Sequence, residues 1–225
     1  MSLTTRKNAA TKALQSVLAN GKKHDANIQL EWEIACNTNV NRGKVYSQSE
    51  IHLLYSRIVG NNEECGATKV CHLINHNGVD FKYIVIKRMK RNAYNGLGNQ
   101  LITEIECWNK YAETNDADYL CPILKYFTSK SDKVTKDSDT MANNVVIIAQ
   151  RAVYVADAET ACRKAERLNA ANGYKGEDAA TRYEKLKAFS SKNKWWDAIH
   201  NGGNSGVIFD YSKNCYKAVF IDYAL

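Results

Sequence analysis

Residues 195–225 read WWDAIHNGGNSGVIFDYSKNCYKAVFIDYAL, and the rest of the chain is organised around them. A polar loop holding Asp197, His200, two glycines and Asn204 runs into a β-rich stretch, Val207 to Phe209. A turn over Ser212, Lys213 and Asn214 leads to a second strand, Lys217 to Ile221, which ends at Asp222. This pattern predicts a β-hairpin with an amide at its entrance and a carboxylate at its exit. Two such oxygen donors suit a hard cation. Mg2+ takes oxygen ligands and prefers one or two protein groups, with substrate phosphates completing its shell. The same residues also fit an ordinary hairpin with a polar loop and a surface Asp.

A second stretch lies far upstream. Residues 82–89 read KYIVIKRM, a run of β-formers with Lys87 after Ile84, Val85 and Ile86. A turn punctuated by Gly96 and Gly98 leads to a helix predicted over Gln100 to Glu113. Leu101, Ile105 and Trp108 recur at the spacing of one helical face, and Glu104 falls on that face with them. A carboxylate on an apolar face requires a cationic partner, because an unpaired buried charge is costly. Lys87 is the candidate.

Strand Lys, helix Glu, loop Asn and strand-end Asp, in that order, resemble the protein-kinase-like superfamily. IVIK at 84–87 resembles the family's V-A-I-K strand, and EIECW at 104–108 the helix bearing the partner Glu. HNGGN at 200–204 resembles the loop with the catalytic Asn, and IDYA at 221–224 stands where the family has D-F-G. The resemblance spans about residues 50–225 through short motifs, none of them strict. It implies an α+β, protein-kinase-like fold: an antiparallel-sheet N-lobe with a much reduced helical C-lobe. The chain would divide into an N-terminal extension (1–50), an N-lobe (51–150) and a truncated C-lobe (151–225).

ATP and Mg2+ are the cofactors the resemblance implies. Lys87 would hold the α- and β-phosphates, Glu104 would fix Lys87, and Asn204 and Asp222 would hold the metal. Gly60 and Gly66, between strands predicted at Ile51–Val59 and Thr68–Ile74, stand where the family has its glycine-rich loop. Glycines let backbone N–H groups approach phosphate without a Cβ in the way. This sequence has two of them, with Glu63 and Glu64 between. Either the glutamates point outward or the loop does not bind phosphate in the usual way, and a plain hairpin turn fits as well. The family's catalytic-loop Asp stands five residues before the Asn, a position held here by Ile199. Asp197 is displaced from it by two residues, so Asp197 and His200 are the candidates to act at the phosphoryl group. No activation segment follows Asp222 in this sequence, in which it resembles cut-down kinase-like proteins such as those encoded by bacteriophages.

Composition bounds the rest. Of 225 residues, 44% are hydrophobic and 24% charged, the profile of a globular protein with one core or two lobes. No apolar run approaches the roughly 20 residues that span a bilayer, and the N-terminus shows no secretory h-region. Seven scattered Cys without C-x-x-C pairing support neither a disulfide framework nor a zinc site and imply a reducing, cytoplasmic compartment, the host cytoplasm if the protein is virus-encoded. The net charge of +7 favours acidic partners, nucleotides included. No aromatic-basic cluster accompanies it, which ranks a nucleic-acid-binding module last. The two leading readings are a minimal kinase acting on a protein substrate and an inactive kinase-like effector that binds and inhibits a protein partner.

The remaining elements follow from periodicity. An amphipathic helix is predicted over residues 3–20 and a half-buried strand over Ile28–Cys36. Strands are predicted at Tyr119–Phe127 and Val145–Ala149, with a polar insertion between them. A helix from Asp157 to Ala171 should be capped by Asp157 and turn Ala161, Ala165 and Leu168 inward. A second helix, Asp178 to Phe189, should bury Tyr183, Leu186 and Phe189. Trp195 and Trp196 either anchor the loop that follows or stack a base.

Overall fold

Val85, Ile86 and Lys87 are buried in succession, which places their strand in the middle of a sheet. The computed structural model describes residues 62–65, 69–76, 79–89, 100–128, 145–200, 204–210 and 212–223. The helix expected over 3–20, the strands expected at Ile28–Cys36 and Ile51–Val59, and Gly60 and Gly66 lie outside the described residues. Within them, strands β1 (Asn62–Cys65), β2 (Lys69–His76), β3 (Val79–Met89), β4 (Ile123–Thr128) and β5 (Val145–Gln150) form an antiparallel sheet. The strand order is β1-β2-β3-β5-β4. Ile147, Ile148 and Ala149 of β5 are fully buried, as an unbroken apolar run predicts for a strand covered on both faces.

Helix α1 (Gln100–Tyr111) stands between β3 and β4 in the chain. Leu101, Glu104, Ile105 and Trp108 are buried and Glu106 is exposed, the face predicted from spacing. A 3-10 turn follows (Asn115–Tyr119), capped by the Thr114 hydroxyl, which accepts from the Asp116 N–H. The strand expected from Tyr119 therefore starts later, at Ile123. Pro122 precedes it and has no N–H to give a ladder.

Contacts group the described residues into two compact units: 62–105 with 123–150, and 106–122 with 151–223. In the second, β6 (Val153–Tyr154), β7 (Ser205–Asp210) and β8 (Cys215–Phe220) form a three-stranded antiparallel sheet in that order. Helix α2 (Ala158–Asn172) packs on β7 and β8, and α3 (Ala179–Asn193) packs on α2. Helix α4 (Trp196–His200) is a single short turn.

The helix ends follow the sequence chemistry. Asp157 accepts from the Thr160 N–H at 2.7 Å, and Asp178 accepts from the Thr181 N–H at 2.8 Å, each satisfying a donor the helix leaves open. Gly173 closes α2 at φ 69°, a left-handed conformation that glycine adopts without a Cβ penalty. Helix α3 runs on to Asn193, past the predicted end at Phe189.

The inner faces of both helices differ from expectation in an instructive way. In α2, Cys162 and Asn169 are buried while Leu168 is half-exposed; in α3, Arg182 is buried while Tyr183 is half-exposed. The buried polar side chains serve the free edge of β8. Asn169 pairs with both backbone groups of Tyr216, donating to its carbonyl at 2.9 Å and accepting from its N–H at 2.7 Å. Arg182 donates to the Ala218 carbonyl from Nε at 3.0 Å and from Nη2 at 2.7 Å. The Cys121 N–H donates to the Phe220 carbonyl at 2.8 Å. Residues 216, 218 and 220 alternate along one edge, so side chains and a crossing segment take up groups that a bare edge would leave unpaired. Gly176 passes so close to Asn169 that an added Cβ would lie 1.9 Å from its amide nitrogen. Overall the molecule is mixed α+β with small antiparallel sheets.

Candidate functional site

On β3, Lys87 pairs in register with Cys71 of β2 on one side and Ile147 of β5 on the other. This holds its backbone from both flanks. Its Nζ donates to Glu104 Oε1 of α1 at 2.5 Å, and the side chains are only 6% and 1% exposed. The pair expected from sequence is therefore formed, between a central strand and the apolar face of a helix. An ammonium held this way has its position set by the carboxylate, with further N–H donors in its inventory.

The hairpin is also formed. Asp210, at the end of β7, accepts through Oδ1 from the N–H groups of Ser212 at 3.0 Å and Lys213 at 3.2 Å, and Asn214 takes the left-handed conformation at φ 54°. An Asx-type turn with Asn in that position has the chemistry such turns favour. Strand β8 then ends at Phe220, one residue before the predicted end. The two outer ends of the hairpin meet. The carbonyl of Asn204 accepts from the N–H of Ile221 at 2.9 Å and of Asp222 at 3.4 Å. Asn204 is buried and Asp222 half-exposed, so the amide and the carboxylate are tied to one backbone junction. An amide oxygen and a carboxylate are hard donors of the kind Mg2+ takes.

That junction rests on an aromatic cluster. Phe189 stands 5.3 Å from Tyr111, 5.4 Å from Trp195 and 6.3 Å from Phe220, and Trp195 stacks 6.3 Å from Tyr223. Burying rings of this size contributes about 1.5–3 kcal/mol each. Tyr223, next to Asp222, is fully buried and donates its hydroxyl to the Cys121 carbonyl at 3.1 Å. Trp195 thus anchors the segment leading to the hairpin.

Residues 196–200, expected to be loop, are helix α4, and the Ser205 hydroxyl ties that turn to β7 by donating to the Ala198 carbonyl at 3.3 Å. Ile199, in the register of the family's Asp, is buried at 4% exposure. His200 is exposed at the helix end, and Asp197 lies on the same turn. Asn62–Cys65, expected to be part of a turn between Gly60 and Gly66, is instead a strand, Glu63 pairing with His72 and Glu64 with Cys71. Its backbone is committed to the ladder with β2, which explains the difference. Burial pushes the Cys162 thiol up to about 12, so it stays protonated.

The sequence reading missed Arg182, Asp118 and Asn169. The signal for Arg182 was present: residues 182, 186 and 189 have the spacing of one face, and an Arg on that face needs a carboxylate.

The sequence matches no known family and no curated protein. Among the described residues no helix is long and apolar enough to cross a membrane.

Proposed function

We propose that the chain binds ATP with Mg2+ in the manner of a minimal protein kinase and transfers phosphate to a protein substrate. The Lys87–Glu104 ion pair carries the proposal. A buried pair contributes little to stability relative to apolar side chains of the same volume, so its presence between a central strand and an apolar helix face asks for a role beyond packing. In this reading Lys87 neutralises the α- and β-phosphates and Glu104 keeps the ammonium in place. Asn204 and Asp222 supply oxygen donors for the metal. ATP supplies the γ-phosphoryl group. The acceptor hydroxyl attacks its phosphorus, the bond to the β-phosphate oxygen breaks, and Asp197 or His200 takes the hydroxyl proton.

Buried Ile199 favours a second reading, in which the fold binds nucleotide or a protein partner without transfer. Incubation with γ-labelled ATP and Mg2+, alone and with a cytosolic extract, separates the two. The kinase reading expects label on a protein with the wild type and none with Asp222→Ala. Equal labelling by both would remove Asp222 from the site. Nucleotide binding that depends on Lys87 but yields no label establishes the second reading.

A further inference from the structure

A cavity of about 140 Å3 opens among α2, α3, β8 and the loop before α3, with Lys175, Arg182, Lys213, Lys217, Asp118 and Glu177 in its wall. It lies wholly within the second unit and uses none of the kinase-like motifs. Cavities of this size take a ligand as large as benzene, and a phosphate ion has fewer heavy atoms.

The charges are unevenly committed. Asp118 accepts from Arg182 at 2.5 Å, Lys213 at 2.6 Å and Lys217 at 2.9 Å. Burial pushes its carboxyl up, but Lys217 and Arg182 outweigh burial and hold it far below the usual range, so it is ionised. Lys217 also meets Asp210 at 2.8 Å, and Glu177 pairs with Lys185. Five cations (Lys175, Arg182, Lys185, Lys213, Lys217) thus face three carboxylates (Asp118, Glu177, Asp210), an excess of two positive charges.

Uncommitted donors accompany that excess. A lysine ammonium has three N–H groups. Lys213 directs one to Asp118, and Lys217 directs one each to Asp118 and Asp210. Lys175 is exposed and makes no hydrogen bond or ion pair among the described residues. Lys213, its side chain 57% exposed, also reaches solvent, whereas Lys217 at 15% lies deeper. Two cations at the surface and two below them give a ligand a way in and donors beneath.

We propose that this cavity binds a small tetrahedral dianion of the phosphate class. Such a group carries about two negative charges at neutral pH and several acceptor oxygens. Lys175 and Lys213 capture it, and Lys217 donates from beneath. Free phosphate and a phosphorylated side chain share this chemistry.

The test is a calorimetric titration of the full chain, without nucleotide, with inorganic phosphate and separately with O-phospho-L-serine, at constant ionic strength against sodium chloride. Lys175→Ala/Lys213→Ala is run beside the wild type, and both substitutions fall on exposed side chains outside the nucleotide-binding residues. The expected result is saturable phosphate binding absent with chloride and weakened roughly tenfold or more in the double variant, as loss of charge-assisted hydrogen bonds requires. Phospho-L-serine binding with the same dependence assigns the cavity to a phosphorylated side chain; binding of phosphate alone assigns it to the free ion. No binding beyond chloride overturns the proposal. So does binding that the double variant leaves unchanged, because it then occurs elsewhere. The readout needs neither ATP nor transfer, so this proposal and the kinase reading fail separately.

Discussion

The chain holds two ion-pair constellations, one in each compact unit, and they are built differently. Lys87 and Glu104 are one cation and one anion, joined at 2.5 Å and almost wholly removed from water. Asp118 gathers three cations, its side chain is 25% exposed, and Arg182 also holds the carbonyls of Ala218 and Asp118 itself. The cluster has a structural purpose visible in its backbone bonds: it closes the free edge of β8 and fastens the 3-10 turn to it. The pair joins a strand side chain to a helix side chain at positions where apolar residues would pack. Desolvation of both its charges offsets much of their attraction, so stability is a weak explanation for it. The difference teaches that burial alone does not rank an ion pair; the balance of charge and the backbone groups fastened with it count as well.

The largest expected effect separates these roles. Lys87→Met breaks the buried pair by removing one of its members and should cost about 3–5 kcal/mol, measured by urea unfolding. Adding Glu104→Leu removes the buried carboxylate as well, so the double variant should recover most of that loss. Nucleotide affinity, followed by calorimetry with ATP and Mg2+, should stay lost in both. A double variant as unstable as the single one would make the pair a structural element after all and break the comparison.

A smaller effect is expected at the cluster. Asp118→Asn keeps the size and some hydrogen bonding while removing the charge, and should cost about 1–3 kcal/mol at pH 7. The pH dependence sharpens the point. For Asp118 and Asp210 burial pushes the carboxyl up, but Lys217 together with the other donors around each carboxylate outweighs it, and both sit below the ordinary value. A depressed carboxyl contributes its stability fully above its unfolded pKa, near 4, and loses it as pH falls below that. Denaturant titrations from pH 7 down to about pH 3 should show wild-type stability falling below about pH 4, and Asp118→Asn should flatten part of that fall. An acid limb unchanged by the substitution would mean that other carboxylates control it.

How much of this was legible beforehand differs between the same two places. Lys87 and Glu104 could be paired from sequence because each violates its surroundings: a lysine in a β run and a glutamate on an apolar stripe. The elements were legible for similar reasons. Apolar periodicity located α1, α2, α3 and β5, and Asp157 announced its cap. Asp118 and Arg182 are 64 residues apart, and a polar 3-10 turn hides its importance in sequence because its partners come from tertiary packing. Asn169 and Arg182 escape apolar periodicity, because they face inward to meet backbone groups of β8. Residues 62–65 were read through their flanking glycines, and pairing with β2 decided them instead. Asp197 and His200 share a turn that puts Ile199 into the core, a consequence of packing that loop composition does not reveal.

The smallest expected effect calibrates the other two. Arg163 and Glu159 lie four residues apart on α2 and form an ion pair with both side chains more than half exposed, 62% and 52%. Solvent screens such a pair, and ordering two long side chains offsets what attraction remains, so Arg163→Ala should shift stability by no more than about 0.5 kcal/mol. The shift should shrink further in about 1 M salt, where charges separated by more than about 3 Å are screened. Urea unfolding at low and high salt measures it. Together with Lys87→Met and Asp118→Asn it forms a series running from an exposed pair through a half-buried cluster to a buried pair. If Arg163→Ala cost as much as Asp118→Asn, solvent exposure would not be separating the pairs. The case for a functional role of Lys87 and Glu104 would then rest on nucleotide binding alone.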